Sequence, residues 1–139
     1  MNVKMMLADS CQAVNNKLYI LGGGWSFIGA AGAPFSVVIQ LEVEPTAFGV
    51  EHKWRLALED ADGRPALVNG PKGPTPLVLE DSFTPIAPDG LPAGTSGEMP
   101  IVANFAPIAL PAGSRFMFRF SVDDETLPGG ALAFNTRPE

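Results

Sequence analysis

The chain has one cysteine, Cys11, and one histidine, His52, and these two scarcities close off most chemistry. A single thiol cannot form an internal disulfide, so nothing marks an oxidising compartment. A single histidine argues against zinc. A nucleophile and base would have to be these two residues, and nothing in the sequence positions a third group to orient them. The expectation is therefore an inert cysteine and a half-buried strand histidine.

Charge is also scarce. Only 17% of residues are charged, against roughly 25% in an ordinary soluble domain. Nine basic and fifteen acidic residues leave a net charge of -6, which repels a phosphate backbone and argues against nucleic acid as a partner. No apolar run is long enough to span a membrane. The short apolar patch near Met5 is interrupted by Asp9 before a signal-peptide core of the usual length can form. The expected location is the cytoplasm, or a virion if the chain is phage-encoded, without secretion through a signal peptide.

What is present is apolar: 46% of residues. With so little charge, the surface must be covered by small, apolar and uncharged side chains, as the buried centre of a protein interface is. Composition thus leans toward a subunit of something larger. A small monomer with a large core and long neutral loops fits the composition equally well. At 139 residues the chain is expected to be one domain, 1–139, able to bury roughly two thirds of its unfolded surface without staples.

Fifteen glycines and fourteen prolines are spread through the chain, leaving few gaps for a helix. That is the punctuation of a mostly-β domain. The densest strand-forming run is Lys17–Trp25, Lys-Leu-Tyr-Ile-Leu-Gly-Gly-Gly-Trp. Its unbroken apolar stretch reads as a core strand covered on both faces, ended by a bend that three glycines permit. Asn15-Asn16 makes the turn before it. Asn2–Asp9 alternates as a first strand, with a short helix as the competing reading. Phe35–Glu44 is a clear strand, with Val37, Ile39, Leu41 and Val43 facing one way. Glu51–Glu59 alternates strictly, and Asp60-Ala61-Asp62-Gly63 closes it as a turn. Asn69–Pro76 reads as loop, and Leu77–Leu79 as a brief edge strand flanked by prolines. Met99–Ile108 returns to strand character. In Ser114–Asp123, three phenylalanines at two-residue spacing, Phe116, Phe118 and Phe120, mark a core strand. Asp124–Gly130 reads as turn, and Ala131–Thr136 as a last strand.

Seven to nine such strands predict an all-β, two-sheet antiparallel β-sandwich, immunoglobulin-like in architecture, with long proline- and glycine-rich loops. Leu110–Phe120 is similar to the turn-into-strand of many immunoglobulin-like sandwiches. Phe116 stands where a tyrosine often does, so a hydroxyl-based corner is not available there.

The opening Leu7–Trp25, Leu-Ala-Asp-Ser-Cys-Gln-Ala-Val-Asn-Asn-Lys-Leu-Tyr-Ile-Leu-Gly-Gly-Gly-Trp, resembles the start of a family of small bacterial and phage-associated hypothetical proteins. Leu56–Arg64 looks like a second block of it. The resemblance covers the first half best and implies no activity, ligand or functional residue.

Familiar motifs fail on spacing. The three glycines are followed by Trp25 and not by Gly-Lys-Ser/Thr, so they are no phosphate loop. Asp60 and Asp62 lack the further ligands of a calcium loop. Asp123, Asp124 and Glu125 read as a solvated acidic loop, and Ser96 lacks the setting of a nucleophile elbow. No catalytic residue, cofactor or metal is assigned.

The expected function is a non-enzymatic structural or interaction subunit docking on a protein assembly, either copies of itself or a larger particle. Its most concrete form is a capsid-decoration or similar outer-layer protein of a phage virion. Ser26–Pro34 is a loop without charge, and Ser82–Glu98 is a second irregular excursion. Together they nominate Trp25, Phe27, Ile28, Pro34, Leu91 and Pro92 as partner-binding residues. The alternative is a cytosolic ligand-binding module with a pocket between the sheets or beneath Ser26–Pro34, its polar groups drawn from Gln40, His52 and Arg119.

Overall fold

The computed structural model describes residues 1–138. These residues form eleven strands: β1 (Asn2–Val14), β2 (Lys17–Gly23), β3 (Phe27–Ile28), β4 (Phe35–Val43), β5 (His52–Asp60), β6 (Leu67–Gly70), β7 (Gly73–Pro76), β8 (Val78–Phe83), β9 (Gly97–Phe105), β10 (Arg115–Val122) and β11 (Glu125–Thr136). One 3-10 turn at Pro45–Ala47 is the only helical piece among them. The first sheet runs β2-β1-β4-β9, the second β3-β11-β10-β5-β8, and β6-β7 is a separate ribbon. Pairing is antiparallel except where β3 meets Asn135 and Thr136 of β11 in parallel.

The alternation read from the sequence decides which faces meet. Val37, Ile39, Leu41 and Val43 of β4 are all buried, as are Phe116, Phe118, Phe120 and Val122 of β10, and the two rows belong to one core. Phe118 sits at its centre, with ring centroids 5.6 Å from Phe134, 5.8 Å from Phe105 and 6.2 Å from Phe35. Trp25 packs edge-on against Phe35 at 5.9 Å, and Trp54 stacks on Phe120 at 5.9 Å. Each such aromatic contributes about 1.5–3 kcal/mol by burial, with a further ~1 kcal/mol where rings meet in offset or edge-to-face geometry.

β1 is longer than the strand expected, and it does not run straight. Asn2 to Ala8 pair with β4, and from Ala8 onward the strand pairs with β2 instead. In the first sheet Asn2, Glu42 and Glu98 form one row. An extended chain would carry Asn16 about 45 Å from that row at ~3.3 Å per residue. Yet the Asn16 side-chain amide donates to the Glu98 carbonyl at 3.3 Å. The β1–β2 hairpin therefore doubles back over the outer face of the first sheet. Cys11 and Leu18 pack there on Val38 and Val102, which explains why Val38 is buried although it points away from the main core.

The returning chain needs the glycines. Gly22 and Gly24 take φ of 62° and 92°, where a Cβ is strained, and any side chain at Gly22 would strike the Asp9 carboxylate. The Gly24 N–H closes the bend by donating to Leu7 O at 2.8 Å. The turn at the far end is made by Asn15 and Asn16, both left-handed.

Four sequence expectations change. Lys17–Gly23 is an edge strand with one face on the first sheet and the other in water, not a strand covered on both faces; its apolar run mimicked double burial. Asn69–Pro76 is not loop, because β6 and β7 pair as a detached hairpin whose Pro74 and Pro76 have no interior ladder to disrupt. β11 begins at Glu125, running through Pro128-Gly129-Gly130 with a register shift opposite Phe120. Gly129, at φ 80°, approaches the Val3 carbonyl of β1 so closely that a Cβ there would collide with it. Finally, the corner that Phe116 cannot tie is tied by Thr136. Its buried hydroxyl donates to Pro111 O at 2.5 Å and accepts the Ser114 N–H at 3.0 Å. Thr136→Val keeps the shape and removes both bonds. Urea unfolding is expected to show a loss of about 1–3 kcal/mol, with the slope unchanged.

Candidate functional site

The doubled-back hairpin carries an apolar outer surface. Leu21 is 70% exposed and Tyr19 57%, and Val14, Ile20 and Met6 are also exposed. Between Leu18 and Trp25 the sequence has no charged residue. Single exposed apolar side chains are ordinary, but several on one uncharged run make a candidate binding surface.

A cleft of about 690 Å³ lies elsewhere, between the irregular 84–96 segment and the ends of β4 and β9. Val43, Ile86, Leu91 and Met99 supply its apolar wall, Asp89 and Glu98 its charge. No basic side chain lines it, so it disfavours anions.

The one histidine is fixed in place. Its Nδ1 lies 2.7 Å from Asp123 Oδ2 and its Nε2 3.1 Å from Ala47 O. Both partners accept, so the site satisfies both ring nitrogens at once when the ring is the protonated imidazolium. Asp123 is held by its left-handed turn with Asp124 and by the Lys53 N–H donating to Oδ1 at 3.0 Å. The hydrogen bond that the His52 ring donates to Asp123 pushes the His52 pKa above its ordinary 6.5, and the same bond holds the Asp123 carboxyl below its ordinary range. Cys11 is buried, and burial raises its thiol pKa, leaving little thiolate to act as a nucleophile. Among the described residues no group of three or more His, Cys, Asp or Glu side chains could hold a metal ion. No helix among them is long and apolar enough to cross a membrane.

The six residues nominated from sequence fall into two separate groups. Trp25 is half-buried against its own core, with its indole N–H buried and unpartnered. Phe27 is 50% exposed, the Arg137 guanidinium lying 4.5 Å above its ring, while Ile28 packs against the core and Pro34 is exposed. The 26–34 loop is tucked against its own domain, with the Leu110 N–H donating to Ala30 O at 3.2 Å. Leu91 and Pro92 are exposed at the cleft end, and the Pro92 carbonyl accepts the Thr95 hydroxyl at 2.6 Å. The groups sit at opposite ends of β4, roughly 26 Å apart. Nor do Gln40, His52 and Arg119 converge: Gln40 bonds Glu98 on the outer face, His52 bonds Asp123, and Arg119 bonds Glu59 at 3.1 Å. Sequence reasoning missed Tyr19, Ile20 and Leu21 as a surface. The one signal for it was a run of apolar residues too close to a triple glycine to continue as an interior strand.

The profile of DUF6941, a family of unknown function, matches residues 4–133. The chain belongs to that family. The DUF6941 match takes in the hairpin, the cleft and the His52–Asp123 pair alike, so the resemblance to a family without assigned activity holds through both halves of the chain. No curated protein and no solved structure matches it.

The His52–Asp123 pair gives this DUF6941 member a pH signature. A raised histidine pKa contributes stability that is fully present below 6.5 and is lost as pH rises through the folded value. The depressed Asp123 pKa contributes stability present above the ordinary 3.8 and lost as pH falls through the folded value. Stability from the pair is therefore greatest between about pH 4 and 6.5. Asp123→Asn is expected to return the His52 titration, followed by NMR of the ring protons, toward its ordinary value, and to flatten the fall in thermal stability above pH 6.5.

Proposed function

We propose that this protein is a non-catalytic interaction subunit that docks on other protein chains. The observation that carries the reading is the uncharged run Leu18–Gly23 on the outer strand of the β1–β2 hairpin, with Tyr19 and Leu21 mostly in water. Leaving such side chains exposed forfeits about 1.5–3 kcal/mol each, which a partner recovers. The buried thiol and the fully engaged histidine support the non-enzymatic part. An immunoglobulin-like assignment is supported by strand order: β1-β4-β9 faces β8-β5-β10-β11, which parallels the A-B-E and C′-C-F-G sheets of that architecture with the irregular 84–96 segment in place of strand D. A capsid-decoration or outer-layer role on a phage particle is the most concrete form. Its support is the small size, low charge and proline- and glycine-rich loops, by analogy alone.

A second reading is a ligand-binding module, favoured by the cleft beneath 84–96, which is of a size typical for small-molecule sites. Its apolar wall and acidic rim suit an uncharged or cationic ligand.

Photo-crosslinking in the native source separates the two. A photoreactive residue at Leu21 is expected to join the protein to another polypeptide, and one at Ile86, by the cleft, much less. Crosslinking at neither position would overturn the docking reading.

A further inference from the structure

The hairpin's outer strand has a free edge, and its sequence says what fits it. Sheet edges are normally guarded by charge, proline or brevity, since unpaired N–H and C=O groups accept any passing strand. Three edges here are guarded. β9 carries Pro100 and Glu98, β8 carries Glu80 and Asp81, and β3 is two residues long. Among the edges of the two large sheets the exception is β2, which from Leu18 to Gly23 has neither charge nor proline and is the terminal strand of the first sheet; the ribbon edge β6 lacks them too but is only four residues long.

We infer that β2 pairs antiparallel with β2 of a second copy of this chain, around a twofold axis at Ile20, joining the two fold-back hairpins into one four-stranded layer. This rests on the docking reading above and names its partner.

The register follows from symmetry. Opposed residues in an antiparallel pair point to the same face, so a twofold axis must pass through a residue facing its own copy. Centring on Ile20 sets Tyr19 against Leu21 twice, the aromatic–aliphatic pairing that stabilises neighbouring strands. It also covers the two most exposed apolar side chains of the strand. Lys17, the only charge in β2, then falls opposite Gly23 of the other copy. Beside that glycine stretch stands the Asp9 carboxylate, in contact range of Gly22. Each lysine thus meets an acid and no like charge, an attraction that offsets part of the repulsion between two chains of net charge -6. A centre at Tyr19 or Leu21 breaks the Tyr19–Leu21 pairing. A parallel arrangement aligns Lys17 with Lys17.

Sedimentation equilibrium of the purified chain from micromolar to millimolar concentration tests this. The expected result is a monomer–dimer equilibrium that Leu21→Glu weakens at least tenfold, with circular dichroism unchanged because Leu21 is already mostly in water. A mass of one chain throughout, or a dimer indifferent to Leu21→Glu, overturns it. In a Cys11→Ala background, which removes the thiol directly across the hairpin from position 20, Ile20→Cys gives a second readout: facing its own copy, it is expected to oxidise to a covalent dimer, while Ile86→Cys in the same background, 78% exposed near the cleft, stays reduced at the same concentration. Equal dimer from both, or none from Ile20→Cys, also overturns the pairing. A monomer that still crosslinks from Leu21 to a different polypeptide would sink the self-pairing and leave the docking reading standing.

Discussion

Everything in this structure depends on the burial of two facing rows, Val37-Ile39-Leu41-Val43 on β4 and Phe116-Phe118-Phe120-Val122 on β10. Their two-residue spacing fixes which face of each sheet turns inward, and a slip of one residue would send every one of them to water. Once these rows meet, the neighbours follow. β1 and β9 flank β4 with Val3, Leu7 and Ala103 inward, while β5 and β11 flank β10 with Leu56, Leu58 and Phe134 inward. The sheets also approach each other at one side, where Gly129 lets β11 come up against the Val3 carbonyl.

The second organising event is the reversal of β1 beyond Ala8. It converts one strand into two roles, an interior strand of the sheet and then half of a cover over that sheet's outer face. The cover is why Ala8, Cys11 and Val38 form a small apolar cluster away from the main core. It also leaves Tyr19 and Leu21 outside, because a hairpin laid on a sheet has only one face to bury. The apolar surface proposed as a docking site is thus a consequence of the fold-back and not a separate feature.

The polar side chains singled out from the sequence are engaged in structural contacts. His52 gives both ring nitrogens to structural acceptors, and Arg119 and Gln40 are each paired with a glutamate. The acidic loop that looked merely solvated in sequence has one member, Asp123, tying β5 to the β10–β11 turn through His52 and the Lys53 backbone. No spacing rule joins residues 52 and 123; only the pairing of β5 with β10 sets them side by side.

The amino-acid sequence by itself determined the strands with strict alternation, the left-handed asparagine turn, the Asp60–Gly63 turn and the phenylalanine row, because each depends on residues only two to four positions apart. It also determined the membership in a family without assigned activity and the scarcity of cysteine, histidine and charge. The tertiary structure decided what local pattern cannot encode. Leu18 to Leu21 read the same whether a strand is buried on both faces or laid over a sheet, and only the contact between Asn16 and Glu98, 82 positions apart, distinguishes them. Trp25 and Leu91 are both large apolar loop residues, yet one caps the core beside Phe35, as the size of an indole favours, and the other stands in water by the cleft. Burial is a property of what arrives from elsewhere in the chain, and that is settled only when the sheets have packed.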